Sequence, residues 1–400
     1  MKTSAETLRG EVLAAIDEAA DDLWELALDI HAHPEIAFQE YRSADQLCET
    51  LRRFGYTVER PIAALETAFR AEARGRDDGP TVAILAEYDA LPELGHACGH
   101  NLICTAALGA AVGLRQVLDW VPGRVVVLGT PAEEGGGGKV LMLQRGAFEG
   151  IDAALMFHPS NATLTMRASL ASFRLRVRYL GKASHAAAAP HDGVNALDAL
   201  IQLFVGIGLL RQQLREDARV HGIITYGGSA ANVIPDRTEA LFSVRAADRE
   251  YAEETLKRVV EVARGAAVAT GATLEHEAVP GYDAIRPNRP LAAAFGRHLE
   301  SLGWRLDPPP ERPRMGSTDM GNVSHALPAI HPYIAIGPRE LRGHTVEFRE
   351  AAASERGRQG MLAAARALAL TALDVLTDPA FLAEVRRDFA AKPEKPEAVS

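Results

Sequence analysis

The sequence predicts an α/β protein: a mostly parallel sheet domain interrupted by a small inserted α+β domain. Three observations carry this. Short apolar runs alternate with helix-spaced segments over the first 170 residues, the texture changes to half-buried strands near residue 171, and the first texture resumes after the Pro-rich segment RPNRP at 286–290. A chain of 400 residues is about twice the length of a common single domain, so an insertion is the economical arrangement. The expected boundaries are 1–170 plus 286–400 for the discontinuous domain and 171–285 for the insert.

In order along the chain, MKTSAETLRGEVLAAIDEAADDLWELALDI reads as a helix with acidic residues along its length, without the apolar core of a signal peptide. TVAILAEY (81–88), RVVVLGTP (124–131) and DAALMFH (152–158) are short apolar runs of the kind buried in a sheet, and LICTAALGAAVGLRQVL (102–118) between the first two has helical spacing. Each strand runs into a polar cluster: EYDALPELGHACGHN, PAEEGGGGK and HPSN. Chemistry in parallel sheets gathers at the carboxyl ends of strands, so these clusters are expected to meet in space.

SFRLRVRYLG (172–181) then alternates polar and apolar residues, as a strand with one solvated face does. The helix NALDALIQLFVGIGLLRQQL, the strands HGIITYGG and TEALFSVRA, the helix REYAEETLKRVVEVARGAAVATG and the strand ATLEHEAV follow. Strand, helix, two strands, helix, strand is the ferredoxin-like split βαβ order, a self-contained two-layer unit. The chain ends with the strand-like AIHPYIAIG, the long helix SERGRQGMLAAARALALTALDVL and the tail AAKPEKPEAVS, whose Pro and charge content predicts fraying.

Composition excludes several classes. The net charge of −10 is spread along the chain, which disfavours nucleic acid as a partner. No run of about 18 apolar residues marks a membrane span. Cys48, Cys98 and Cys104 are an odd number at unpatterned spacing, which fits a reducing, cytoplasmic setting better than a disulfide framework.

The polar clusters carry the chemistry. Cys98 and His100 lie two apart, a thiol and an imidazole able to hold a borderline-soft divalent metal; nucleophilic catalysis by Cys98 is the alternative, since a neighbouring imidazole can generate a thiolate. Glu133 and Glu134 follow a strand end and precede four glycines, so one carboxylate can ligate metal while the other serves as general base. His158 ends the third apolar run, where an unpaired imidazole is costly. The glycines lack the spacing of a phosphate loop.

Six ordered segments then carry a resemblance: HAHPEIAFQE, AEYDALPELGHACGHN, PAEEGGGGK, GKASHAAAAPHDGVNALDA, ANVIPDRTEA and GSTDMGNVSHALPAIHPYIAIG. They resemble the co-catalytic metallopeptidase family of aminoacylases and glutamate carboxypeptidases. The nearest part of it is the amidohydrolase branch of p-aminobenzoyl-glutamate hydrolase, indoleacetyl-amino-acid hydrolases and the β-alanyl-lysine dipeptidase type. The resemblance implies a dinuclear metallopeptidase domain and an inserted dimerisation or lid domain, hinged near 171 and 285. It implies two divalent ions per subunit, zinc or manganese, held by Cys98, His100, Glu134, His158 and His344. Glu133 matches the catalytic base. His185 matches the insert histidine that polarises the scissile carbonyl in the other subunit of a homodimer or larger homo-oligomer. Asn232, Arg245, Ser317 and Thr318 are candidate substrate contacts, Asp319 lies in the same loop, and Asp89 is a candidate for orienting a ligand.

Two departures stand out. Relatives with a different metal set carry histidine where this chain has Glu87, and His100 is expected to supply the missing nitrogen. Many branch members have Asp in place of Asn101, whose neutrality is expected to bear on metal preference. For the serine and threonine, helix capping is the simpler reading. His31 and His33 match an early motif without a ligand role, His276 and His298 read as surface residues, and His191, His221, His325 and His331 lie near the motifs.

The expected activity is hydrolysis of the amide bond of N-acyl amino acids or dipeptide-like substrates by a metal-bridged water with a Glu base. A p-aminobenzoyl-glutamate or indoleacetyl-amino-acid hydrolase is the narrower alternative, and a thiol hydrolase or a non-catalytic metal-binding homologue the alternative from another class. No nucleic acid or membrane partner is expected.

Overall fold

The computed structural model describes residues 4–309 and 315–391; most of the tail expected to fray lies outside the described residues. The chain divides into two compact units. The first comprises 1–167, 286–314 and 322–400, and the second 168–285 with 315–321.

In the first unit, α1 (Ala5–Glu18), α2 (Ala20–Ala32) and α3 (Tyr41–Arg53) precede strands β1 (Thr57–Glu59), β2 (Phe69–Arg74) and β3 (Thr81–Ala86). Next come α4 (His100–Arg115), β4 (Arg124–Gly129), α5 (Gly138–Gln144), β5 (Ala153–Leu155) and β6 (His158–Ser160). Among the described residues, one sheet has the order β1-β2-β4-β3-β5-β11, where β11 is Ala329–Ile330. Its β4, β3, β5 and β11 are parallel, while β1 and β2 add an antiparallel edge. β3 is buried along its whole length, as a central parallel strand covered on both faces must be. α4 is buried over nearly all its length against α1, α2 and α11 (Glu355–Thr377). Leu8, Val12 and Ile16 of α1, spaced four apart, form the stripe that it buries.

The second unit holds β7 (Ala171–Leu180), α6 (Ala196–Leu210), β8 (Arg219–Tyr226), β9 (Arg237–Ala246), α7 (Arg249–Thr270) and β10 (Thr273–Pro280). Its antiparallel sheet has the order β10-β7-β9-β8. Alternate residues of β9, Thr238, Ala240, Phe242, Val244 and Ala246, are buried, and the four apolar ones join the core shared with Leu200 and Leu203 of α6 and Val259 and Ala263 of α7. The period of two read in the sequence therefore marks the helix-covered face.

Four expectations are corrected by the structure. The N-terminal helix is two helices, broken at Ala19. The run at 152–158 is not one strand: β5 ends at Leu155, and His158 opens β6, which pairs in parallel with β12 (Tyr333–Ala335) in a separate two-stranded sheet. The strand-like AIHPYIAIG is likewise split, between β11 and β12. His298 is no surface residue: it is buried in α8 (Arg289–Ser301), and its Nε2 lies 2.7 Å from Oδ2 of Asp374. The α9 (Met320–Ala326), α10 (Val346–Ala351) and α12 (Pro379–Ala390) helices complete the chain. α11 is long and apolar enough to cross a membrane by length and composition, but 78% of that stretch is buried inside the structure, as in the core helix of a globular unit.

The packing can be tested at two points. A Cβ added at Gly113 of α4 meets the carbonyl oxygen of Val12 at 2.8 Å. Gly113→Val should therefore destabilise by about 1–3 kcal/mol, read as a lower guanidinium midpoint. Burial alone raises the Asp374 carboxyl, but His298 and Arg9 outweigh it and hold it below 3.8. Its stabilisation is present above the unfolded value and is lost as pH falls through the lower folded one. Asp374→Asn should cost about 1.5–3 kcal/mol at pH 7, and the gap to the wild type should narrow as pH falls below the ordinary carboxylate range, as measured by thermal unfolding across that range.

Candidate metal centre

The site grows from the carboxyl ends of β3 and β4. Asp89 follows β3, is fully buried, and accepts from Nδ1 of His100 at 3.0 Å and from the backbone N–H of Glu134 at 3.0 Å. With its Nδ1 proton committed, His100 turns Nε2 toward Glu87 Oε2 at 3.5 Å and Glu134 Oε1 at 4.0 Å. His158 donates from Nδ1 to its neighbour's carbonyl, Pro159 O, at 2.7 Å, which leaves the Nε2 lone pair facing Cys98 Sγ at 3.4 Å. His344 Nε2 lies 3.4 Å from Glu134 Oε1.

Local backbone explains how these groups arrive together. Gly99 has φ +78° and caps α4, and a Cβ there would meet the Pro159 ring at 2.6 Å; its bareness lets the start of α4 approach His158. The turn after β4 is tighter still, since a Cβ on Gly138 would sit 1.8 Å from the Pro131 carbonyl oxygen. Ala132 and His344 both adopt left-handed conformations, with φ +59° and +64°, a strain that marks functional turns. Glu40, in the HPEIAFQE segment, holds the Ala132 N–H at 2.9 Å and accepts from Phe38 N–H and the Thr67 hydroxyl. Burial pushes Glu40 up to about 7 despite these donors.

Electrostatics decide what the groups can do. Burial, joined by the charge of Glu134, pushes the Cys98 thiol far up, so it is no poised nucleophile. Burial also drives His158 down to about 4, leaving a neutral imidazole. Burial opposes charge on His100 and on Glu134 alike. Asp89 nevertheless raises His100 well above its usual range, and the His344 and His100 rings bring Glu134 down to about 2.

The donor set fits divalent metal. His100 Nε2 and Glu134 Oε1 are buried without hydrogen bonds, which is costly unless a cation meets them. Donors about 2.1 Å from one ion at the tetrahedral angle stand about 3.4 Å apart, close to the 3.4 Å of the Cys98–His158 and His344–Glu134 pairs. Three overlapping groups have ligand atoms within 4.8 Å: Cys98, His100 and His158; Cys98, Glu134 and His344; His100, Glu133 and Glu134. The six first-unit residues named from the sequence thus converge, with Glu133 and Glu134 in one cluster.

Other sequence candidates have different surroundings. Asn101 is buried and donates to the carbonyls of Ala27 and Ala352, at 3.3 and 3.1 Å, so its amide ties backbone segments together. An Asp there would have no proton to give. His185 and Asn232 adjoin in the second unit: Ala186 N–H donates to Asn232 O at 3.1 Å, and His185 bridges Val233. The same unit holds Arg245, which donates to the Ser243 hydroxyl, and the loop of Ser317, Thr318 and Asp319. Ser317 donates to Leu170 O at 2.8 Å and Thr318 accepts from Met320 N–H at 3.2 Å, the capping role that competes with substrate binding. Among the remaining histidines, His331 is buried with its ring 5.4 Å from that of His158, His31 stacks on His96, and His191 is exposed.

Two residues are missed from sequence alone. Lys139, after the four glycines, is fully buried with Nζ 2.5 Å from Oε1 of Glu87. Glu87 itself stands out in the sequence only for the histidine it replaces. A lysine following glycines was the available signal, but no periodicity links it to a carboxylate 52 positions earlier.

The model of peptidase family M20/M25/M40 matches residues 83–367. The Xaa-Arg dipeptidase of Mus musculus is 43% identical over 97% of this chain and 93% of its own length. One of the subunits of the p-aminobenzoyl-glutamate hydrolase of Escherichia coli is 36% identical over 72% of this chain and 62% of its own length. The solved structure of a dinuclear metal-binding peptidase of the M20 family from Bacillus subtilis superposes with a TM-score of 0.71 at 23% identity, covering 90% of this chain and 99% of that one. With the matched family spanning most of the chain, this protein belongs to peptidase family M20/M25/M40 and is a metal-dependent hydrolase of peptide or amide bonds.

Proposed function

We propose that this protein is a dipeptidase-type amidohydrolase that cleaves the amide joining an acyl group or amino acid to a free amino acid, with dipeptides ending in a basic residue as the leading substrates. The observation that carries the chemistry is the convergence of Glu133 and Glu134 on His100 beside the Cys98, His158 and His344 donors. The substrate reading is supported by the 43% identity to a protein named Xaa-Arg dipeptidase. A p-aminobenzoyl-glutamate hydrolase is the second reading, favoured by the E. coli relative.

In this reading Cys98, His100, Glu134, His158 and His344 hold two divalent ions, zinc or manganese. Bound there, such ions supply Lewis acidity, which lowers the pKa of water and polarises a carbonyl oxygen. Glu133 takes a proton from the attacking water and returns it to the leaving nitrogen. Asp89 keeps His100 in the tautomer whose Nε2 is available for metal. His185 accepts the backbone N–H groups of Ala187 and Ala188 at Nδ1, at 3.3 and 3.2 Å, so Nε2 is the nitrogen left to offer a hydrogen bond to the oxyanion. Asn232, beside it, and Arg245 are the proposed substrate contacts. Ser317 and Thr318 shape the loop through their backbone bonds.

A homodimer formed through the second unit, with His185 acting in trans, is part of the proposal. It is supported by the outer strand β8, which exposes Ile223, Ile224 and Tyr226, and by the exposed stripe Ile201, Val205 and Leu209 on α6. A reducing, cytoplasmic setting also belongs to it, in keeping with three free cysteines.

Three outcomes test the proposal. Amine release should be seen with Xaa-Arg or Xaa-Lys dipeptides, should vanish with chelator, and should fall about 100- to 10,000-fold in Glu133→Gln; turnover that survives thorough metal removal would overturn it. Mixing His185→Ala with Glu133→Gln subunits should recover part of the activity, and none after verified subunit exchange would exclude action in trans. Asp89→Asn should weaken metal binding about 10- to 100-fold by isothermal titration.

A further inference from the structure

One buried pair has no part in the chemistry above. Glu87, just after β3, is 1% exposed, and the side chain of Lys139 at the start of α5 is 0% exposed. Their 2.5 Å contact uses only Oε1 of the carboxylate. Oε2 is buried, makes no hydrogen bond, and lies 3.5 Å from His100 Nε2, which makes none either. A carboxylate oxygen of Glu87 also lies within 4.8 Å of one of Glu133.

A buried ion pair is a poor stabiliser in its own right, because desolvating both charges consumes most of the attraction. Two buried polar atoms 3.5 Å apart that make no hydrogen bond add to that cost. A shared cation removes both costs at once. Donors about 2.1 Å from one ion at the tetrahedral angle stand about 3.4 Å apart, and the Glu87–His100 separation of 3.5 Å matches this as well as the other donor pairs do.

We propose that Glu87 is a further ligand of the metal centre, supplying Oε2 beside His100, and that Lys139 is its positioning residue. The ammonium grips Oε1, so the carboxylate cannot rotate and presents Oε2 to the cluster. It also cancels one negative charge in a site already holding Glu133 and Glu134. The consequence is selectivity: a carboxylate oxygen added to a nitrogen and thiolate set favours manganese relative to zinc. This inference rests on the metal-centre reading proposed above.

The test compares wild type with the double variant Glu87→Gln/Lys139→Met, in which neither charge is stranded. Manganese and zinc affinities are measured by competition with a chromophoric chelator, and folding by circular dichroism. The double variant should bind manganese about tenfold or more weakly, with a smaller change for zinc. A folded variant with both affinities unchanged overturns the proposal. A crystal structure of the manganese-loaded wild type decides independently of how the variant folds: Oε2 of Glu87 should lie about 2.0–2.4 Å from an ion. An ion held by Cys98, His100, Glu134, His158 or His344 with Glu87 out of reach overturns this inference alone. Wild type that binds no ion overturns the metal-centre reading and this inference together.

Discussion

The site depends on one carboxylate. Asp89 is buried and has two bonds to accept, the Nδ1 proton of His100 and the backbone N–H of Glu134. Those donors belong to the start of α4 and the turn after β4, so a single side chain after β3 ties three chain segments to one point. Burial pushes its carboxyl up, but the charge and hydrogen bond of His100, with the Glu134 amide, win and keep it ionised. Without that anion His100 loses both its tautomer and its orientation, and the Glu134 turn loses its anchor.

Backbone strain is arranged around this anchor. Ala132 holds a left-handed conformation because Glu40 takes its N–H while its carbonyl accepts from Gly136 and Gly137 at 3.0 and 2.8 Å. Hydrogen bonds at both the N–H and the carbonyl of one residue offset a conformation that costs of order 1–3 kcal/mol. The reward is geometric: Glu133 and Glu134, adjacent in sequence, both reach His100. Buried Lys139 follows directly from the same turn, so the glycines that looked like a phosphate loop deliver a carboxylate pair on one side and an ammonium on the other.

The parts legible in the sequence are those written in local pattern. Apolar runs marked β3 and β4 because a central parallel strand buries both faces, and alternation marked β7 because its sheet buries one. Cys98, His100, Glu133, Glu134 and His158 were legible as clusters at strand ends, whereas His344 entered only through the family resemblance. Long-range pairing was not legible: β2 has the modest segment FRAEAR and gains its place from β4 on one side and β1 on the other, while β5 and β6 share an apolar run that bends between two sheets. Nothing in the composition of α8 says that His298 is buried, because its partner Asp374 lies 76 residues away. The link from Glu87 to Lys139 was hidden for the same reason.

His185 shows how a bland segment can carry chemistry. The run ASHAAAAP offers no pocket, yet its alanines fold back so that two of their amides point at Nδ1 of the ring. With Nδ1 so engaged, Nε2 is the nitrogen of this exposed residue that is left to donate. The turn therefore makes a directed donor out of backbone alone, just as Asp89 makes a directed acceptor out of His100. In both places a hydrogen bond to Nδ1 decides what Nε2 can do.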